Sequence, residues 1–143
     1  KVNFEKNLAT WKAVGVSGEL NEEFSTLAVD GLVECEVNPA TYWGAGPAPQ
    51  WLMVDLEEET EIADVRLYTF WGDKRYYQYT IAVSTDMKTW TTVADASANT
   101  TPADENGYKH AFAAVKARYV KVTMLKNSAG AAVHIVELRV HGR

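Results

Sequence analysis

Apolar residues recur at every second position in segment after segment of this chain. "QWLMVDLE", "EIADVRLYTF", "YYQYTIAVSTD", "KTWTTVAD", "RYVKVTML" and "AVHIVELRVHG" all follow that rhythm. A period of two places successive side chains on opposite faces of an extended strand. The residues carrying it are rich in Val, Ile, Thr, Tyr and Trp, which suit a half-buried pleated surface. Polar turn stretches separate the segments: "GAGPAP", "WGDK", "STDMKT", "DASANTTPADENG" and "KNSAG". Many short strands with such turns predict an all-β domain, a sandwich or barrel. Only "NEEFSTLAVDG" has room for a helical turn, and it is short. No internal repeat or linker divides the chain, so residues 1–143 are expected to form one domain.

Charge and cysteine content narrow the partners. Net charge is −5 and the basic residues form no stripe, so nucleic acid is not expected. The same balance disfavours an anionic membrane surface, and no apolar run is long enough to span a bilayer. The start, "KVNFEKNLATWK", lacks an apolar signal core. Either the mature protein begins there or the chain is a piece of a longer one. Cys35 is the single cysteine, so no internal disulfide forms. A bacterial exterior or periplasm and a cytosolic location both suit that count. No base neighbours Cys35 in sequence, so it reads as an inert thiol.

Catalytic patterns are missing. Glu57, Glu58, Glu59 and Glu61 read as a solvated hairpin turn between two strands. Paired-carboxylate catalysis needs two acids facing each other across a cleft. His110, His134 and His141 lack the spacing of a zinc motif. There is no phosphate-binding glycine loop and no nucleophile elbow.

The stretch "TFWGDKRYYQY", Thr69 to Tyr79, divides into two halves. Tyr77 and Tyr79 share a strand face with Ile81 and Val83 and are expected in the core. "WGDK" is a turn, and a Trp there does not easily reach the core. An exposed indole at a loop is a natural platform for the apolar C–H face of a sugar ring. Asp73, Lys74 and Arg75 would supply directional hydrogen bonds to the hydroxyl rim. Trp71 is the leading candidate for stacking, with the alternative that it caps the sandwich end while Asp73 and Arg75 pair structurally. Tyr108, in "ANTTPADENGYKH", is a possible flank. Trp11, Trp51 and Trp90 sit in strand motifs and read as core. His134 reads as a rim histidine.

Five segments, in order, resemble the discoidin superfamily, the coagulation factor 5/8 type C domains. They are "AVDGLVECEVNPATYW", "PQWLMVDLEEETEIADVRLYTF", "YTIAVSTDMKTWTTVAD", "KARYVKVTM" and "HIVELRVHG". The "RYYQY" form and the missing terminal cysteines look most like bacterial family 32 carbohydrate-binding modules. That resemblance implies an antiparallel β-sandwich jelly roll of about eight strands, with Trp43, the tryptophan of its T-x-W loop, packed and a sugar site in loops at one end. It implies a secreted, periplasmic or cell-surface domain attached to a glycan-active enzyme and binding galactose- or N-acetylhexosamine-type sugars. Asn127, in the "KNSAG" turn, joins Arg75 as the best fit to the polar groups of such a site. The resemblance also implies a structural Ca²⁺ held by Asp30, Thr41 and Glu137, with the carbonyls of Leu27, Leu32 and Val136 completing an oxygen shell. The alternatives are a structural spacer, or an adhesion domain for protein or lipid.

Overall fold

The alternating segments become eight strands in a computed structural model that describes residues 1–143. They are β1 (Ala13–Val16), β2 (Trp43–Ala45), β3 (Gln50–Tyr68), β4 (Tyr77–Ser84), β5 (Thr91–Ala96), β6 (Tyr108–Asn127), β7 (Val133–Ile135) and β8 (Glu137–Gly142). Every pairing is antiparallel. The one helical element is a 3-10 turn, Ser25–Val29, inside the stretch expected to hold it.

Two long strands serve both layers. The first part of β3 runs between β1 and the later half of β6, with Val54 opposite both Val14 and Val120. Its last part runs between β8 and the start of β6, with Val65 opposite both Val140 and His110. Register shifts between Asp55 and Thr60, and again between Ile62 and Asp64, separate the two parts. Such bulges bend a strand and raise its twist, which lets one ladder pass from layer to layer. One layer then has the order β1-β3-β6-β4-β5, and β8 extends the other along β3. A small β2–β7 ribbon lies apart from both. Leu52, Val54, Val65, Leu67, Ile81, Val122 and Leu138 meet in the interior at 0% exposure. Each such side chain contributes roughly 1.5–3 kcal/mol through burial.

Four expectations are corrected. The glutamates after Leu56 make no hairpin turn: Glu57–Glu59 are an exposed bulge inside β3, with Glu57 at φ 79° and 3.2 Å from Lys12. Tyr108 is not a loop residue but opens β6. Trp11 is 69% exposed rather than core. Trp51 and Trp90 are only half-buried, because Leu52, Val54 and Leu56 are the β3 residues that face inward. By contrast Trp43, Tyr77 and Tyr79 are core as expected, and the Trp43 indole donates to the Gly18 carbonyl at 2.9 Å.

Candidate functional site

Gly44 organises one end of the molecule. It sits in β2 directly opposite His134 of β7. A glycine inside a strand weakens pairing and often marks a close approach. Here the approaching group is Glu23: a Cβ on residue 44 would lie 1.8 Å from its Oε1 and 3.2 Å from His134 Cδ2. Backbone bonds from Leu20 N to Gly44 O (2.8 Å) and from Gly44 N to Glu23 O (3.3 Å) hold the 20–23 segment in place. The inserted Oε1 is buried with no partner in the chain, and burial raises the Glu23 carboxyl above the usual range.

Aromatic rings surround that carboxylate's neighbour, His134. Tyr42 and Tyr77 meet the imidazole edge-on at 5.2 and 6.1 Å, and Phe70 lies tilted at 6.0 Å. Arg75 lies over the Phe70 ring at 4.3 Å and grips Asp73 as a fork, Nε to Oδ1 at 2.9 Å and Nη2 to Oδ2 at 2.6 Å. The Asp73 carboxyl is accordingly held low, chiefly by that hydrogen bond. The guanidinium also faces the Tyr77 hydroxyl, though without a well-aligned hydrogen bond. Its positive charge attracts the phenol oxygen's lone pairs and so turns the O–H toward His134 Nδ1, 2.7 Å away. Nδ1 is then the acceptor, and a neutral His134 carries its proton on Nε2. Burial first, and then the Arg75 charge, push the His134 pKa down to about 4, so the neutral form holds across the physiological range.

The expected sugar residues fall into two groups. Trp71, Asp73, Lys74 and Arg75 come together in one loop, tied down by Ala103 N to Arg75 O at 2.8 Å. Trp71 is half-buried against Tyr42, Tyr68 and Val136, and with Lys74, Pro102 and Asp104 it lines a shallow groove. Asn127 is buried, its Nδ2 donating to Ala132 O and its Oδ1 accepting from Ala129 N, both at 2.9 Å. The Tyr108 hydroxyl donates to Thr101 O at 2.7 Å. The polar atoms of Asn127 and Tyr108 are thus engaged within the fold. Sequence reasoning missed Glu23, Tyr42 and Phe70 and left His134 on the rim; the glycine after Trp43 was the available signal. Burial raises the Cys35 thiol, in keeping with an inert role.

The proposed metal ligands also divide. Glu137 is 0% exposed; its Oε2 accepts from Gly31 N at 2.9 Å, and its Oε1 has no partner. Burial, reinforced by the nearby Asp30 carboxyl, pushes the Glu137 pKa up to about 9. A buried carboxylate with an orphaned oxygen, beside the part-exposed Asp30 carboxyl, fits a hard cation with oxygen ligands. Thr41 Oγ1 instead donates to Glu34 O at 2.7 Å and accepts from Glu36 N at 2.8 Å.

Comparison with known proteins agrees with this architecture. Residues 12–138 match the model of the F5/8 type C domain family. A search of curated protein sequences gives no significant match. Among solved structures, the family 89 glycoside hydrolase from Clostridium perfringens is 26% identical with a TM-score of 0.83, over 96% of this chain and 14% of that one. Chitosan-binding module 1 from a chitosanase/glucanase of Paenibacillus sp. IK-5 is 26% identical with a TM-score of 0.77, over 96% of this chain and 99% of that one. The family 32 carbohydrate-binding module of AlyQ, 23% identical over 90% of this chain and 92% of that one, shares the fold with a TM-score of 0.75. With the family model covering the chain from β1 into β8, the protein belongs to the F5/8 type C (discoidin) domain family.

Proposed function

We propose that this domain is a non-catalytic carbohydrate-binding module whose site is the loop end around Trp71, Arg75, His134 and Glu23. One observation carries the reading: His134, whose Nδ1 is taken up by the Tyr77 hydroxyl so that Nε2 is left to donate, and an unpartnered carboxylate oxygen of Glu23 both close on the empty Cβ position of Gly44 in an aromatic setting. A donor beside an acceptor matches vicinal sugar hydroxyls, and Trp71, on the shallow groove, offers a ring face to the C–H side of the sugar. Galactose- or N-acetylhexosamine-type sugars are the proposed ligands. The chitosan-binding module and the glycoside hydrolase support a carbohydrate ligand and attachment to a glycan-active enzyme, and a secreted or cell-surface location is proposed with them. Ca²⁺ bound by Asp30 and Glu137 is proposed as the structural metal, joining the 3-10 turn to the start of β8. The module itself performs no chemistry; it raises the local concentration of an attached enzyme at its glycan.

A glycan array followed by calorimetry tests this. Dissociation constants are expected in the range of roughly micromolar to millimolar, as suits a small solvated site. Trp71→Ala and His134→Ala should each weaken binding about tenfold or more. If no glycan binds the folded protein and Trp71→Ala only lowers the melting temperature, the domain is a spacer.

Gly44→Ala gives a sharper test. The added methyl takes the place of Glu23 Oε1, the free end of a flexible side chain, so the fold should lose less than about 1.5 kcal/mol. Glycan binding should nonetheless fall about tenfold, like that of Glu23→Ala. Undiminished binding by Gly44→Ala would remove Glu23 from the site.

A further inference from the structure

The outer face of the five-stranded layer carries a second set of aromatic residues, away from the loop end. Lys121 of β6 lies opposite Met53 of β3 and Ala82 of β4. Its Nζ stands 5.0 Å from the Trp51 ring centroid and 5.5 Å from that of Trp90. The adjoining row runs Trp51, Thr123, Thr80 in register across β3, β6 and β4. The Lys121 row runs Gly15, Met53, Lys121, Ala82, Thr92, and the absent Cβ position of Gly15 lies 3.9 Å from both the Trp51 ring and Met53 Cε.

Three properties of this face point to one class of ligand. Two half-buried indoles on a flat strand face, with Met53 between Gly15 and Lys121, make a shallow platform, not the deep apolar pocket that anchors a protein partner. Threonine hydroxyls beside the rings suit a ligand dense in hydroxyls. Lys121 forms no ion pair, although the chain has a net charge of −5. Asp95, opposite Thr80 in register, has its Oδ1 engaged by the Ser97 N–H at 3.0 Å instead. Arg118, the other cation facing this part of β3, is neutralised by Asp55 at 2.9 Å. Lys121 is therefore the uncompensated cation between the two rings, and its ammonium calls for an anion at the platform's centre.

We propose that the Trp51–Lys121–Trp90 face is a second glycan-binding surface, specific for linear polysaccharides bearing carboxylates, such as polyuronates. The sugar's C–H faces rest on the indoles, and a uronate carboxylate meets Lys121. This surface does not depend on the loop-end site.

Affinity electrophoresis in gels containing polygalacturonate, with hydroxyethylcellulose as the neutral control, tests it. The unmodified protein should be retarded by polygalacturonate and much less by the neutral polymer. Trp90→Ala should weaken the retardation about tenfold, and Lys121→Gln several-fold, with loss of its salt dependence. His134→Ala, at the loop end, should retain the full effect. Lys121→Gln leaves the core untouched, so it decides the matter if Trp90→Ala folds poorly. The proposal is overturned if polygalacturonate does not retard the protein. It is equally overturned if Lys121→Gln migrates like the unmodified protein, if the neutral polymer retards as strongly, or if only His134→Ala abolishes the effect.

Discussion

Removing calcium with EGTA is expected to lower the melting temperature by about 10 °C. Glu137 is the reason. Its carboxyl is fully buried with one oxygen unpartnered, and Asp30 approaches from the 3-10 turn. A buried polar atom without a partner costs roughly 1–3 kcal/mol. A cation shared by the two carboxyls would satisfy that oxygen and link segments far apart in sequence. At a hundredfold excess over its dissociation constant, a ligand bound only by the folded state adds about 2.7 kcal/mol. Differential scanning calorimetry with calcium and with EGTA measures the difference directly. Glu137→Gln keeps the side chain's shape but removes the charge, and it should abolish the calcium response. Identical melting in calcium and in EGTA would sink the structural-metal reading.

The second large effect is acid destabilisation through His134. Its pKa lies near 4 in the folded protein, against 6.5 for the free side chain. Above pH 6.5 both folded and unfolded states hold it neutral, and it contributes nothing. Below that, the unfolded chain takes up a proton that the folded protein refuses, so stability falls as pH falls. The loss continues to about pH 4, where the folded protein also accepts the proton. Integrated over that window it is on the order of 3 kcal/mol. His110 is also lowered by burial and acts with the same sign. Melting temperatures from pH 7.5 to 4.5 for the unmodified protein and His134→Gln isolate the His134 share. The variant should show a clearly shallower decline between pH 6.5 and 5, before most carboxylates titrate. Parallel curves would mean that His134 protonates normally in the folded protein.

Much of the fold was legible because strand alternation and turn residues agree. Tyr77 and Tyr79 could be placed in the core because their parity matches Ile81 and Val83, and Trp43 because it stands at the tryptophan of the family's T-x-W pattern. Parity failed in "QWLMVDLE". Trp51 and Met53 are as apolar as Leu52 and Val54, so either set could have faced inward, and only pairing with β1 and β6 decides. The first half of β6 was missed because its alanines and lysines carry little strand preference; it is extended because it pairs with the last part of β3, whose other edge is taken by β8. The Asp73–Arg75 fork was readable, since both partners lie in one turn. The Glu23–Gly44–His134 contact was not, because it joins three distant segments through the absence of a side chain, which no local pattern records.

The two strands that pass through both layers have a kinetic consequence. Their ladder joins Gln50 to Met124 at one extreme and Leu67 to Tyr108 at the other. Forming it requires closing a long loop before much surface is buried, which slows folding. Once that pair zips, it sets the register of both layers together, and neither can dissolve without breaking the strands of the other. The amides of β3 and β6 should therefore exchange with solvent only through global unfolding, as one cooperative unit. The loop that carries Trp71 lies outside this ladder, so it is free to adjust to a ligand without loosening the frame that presents it.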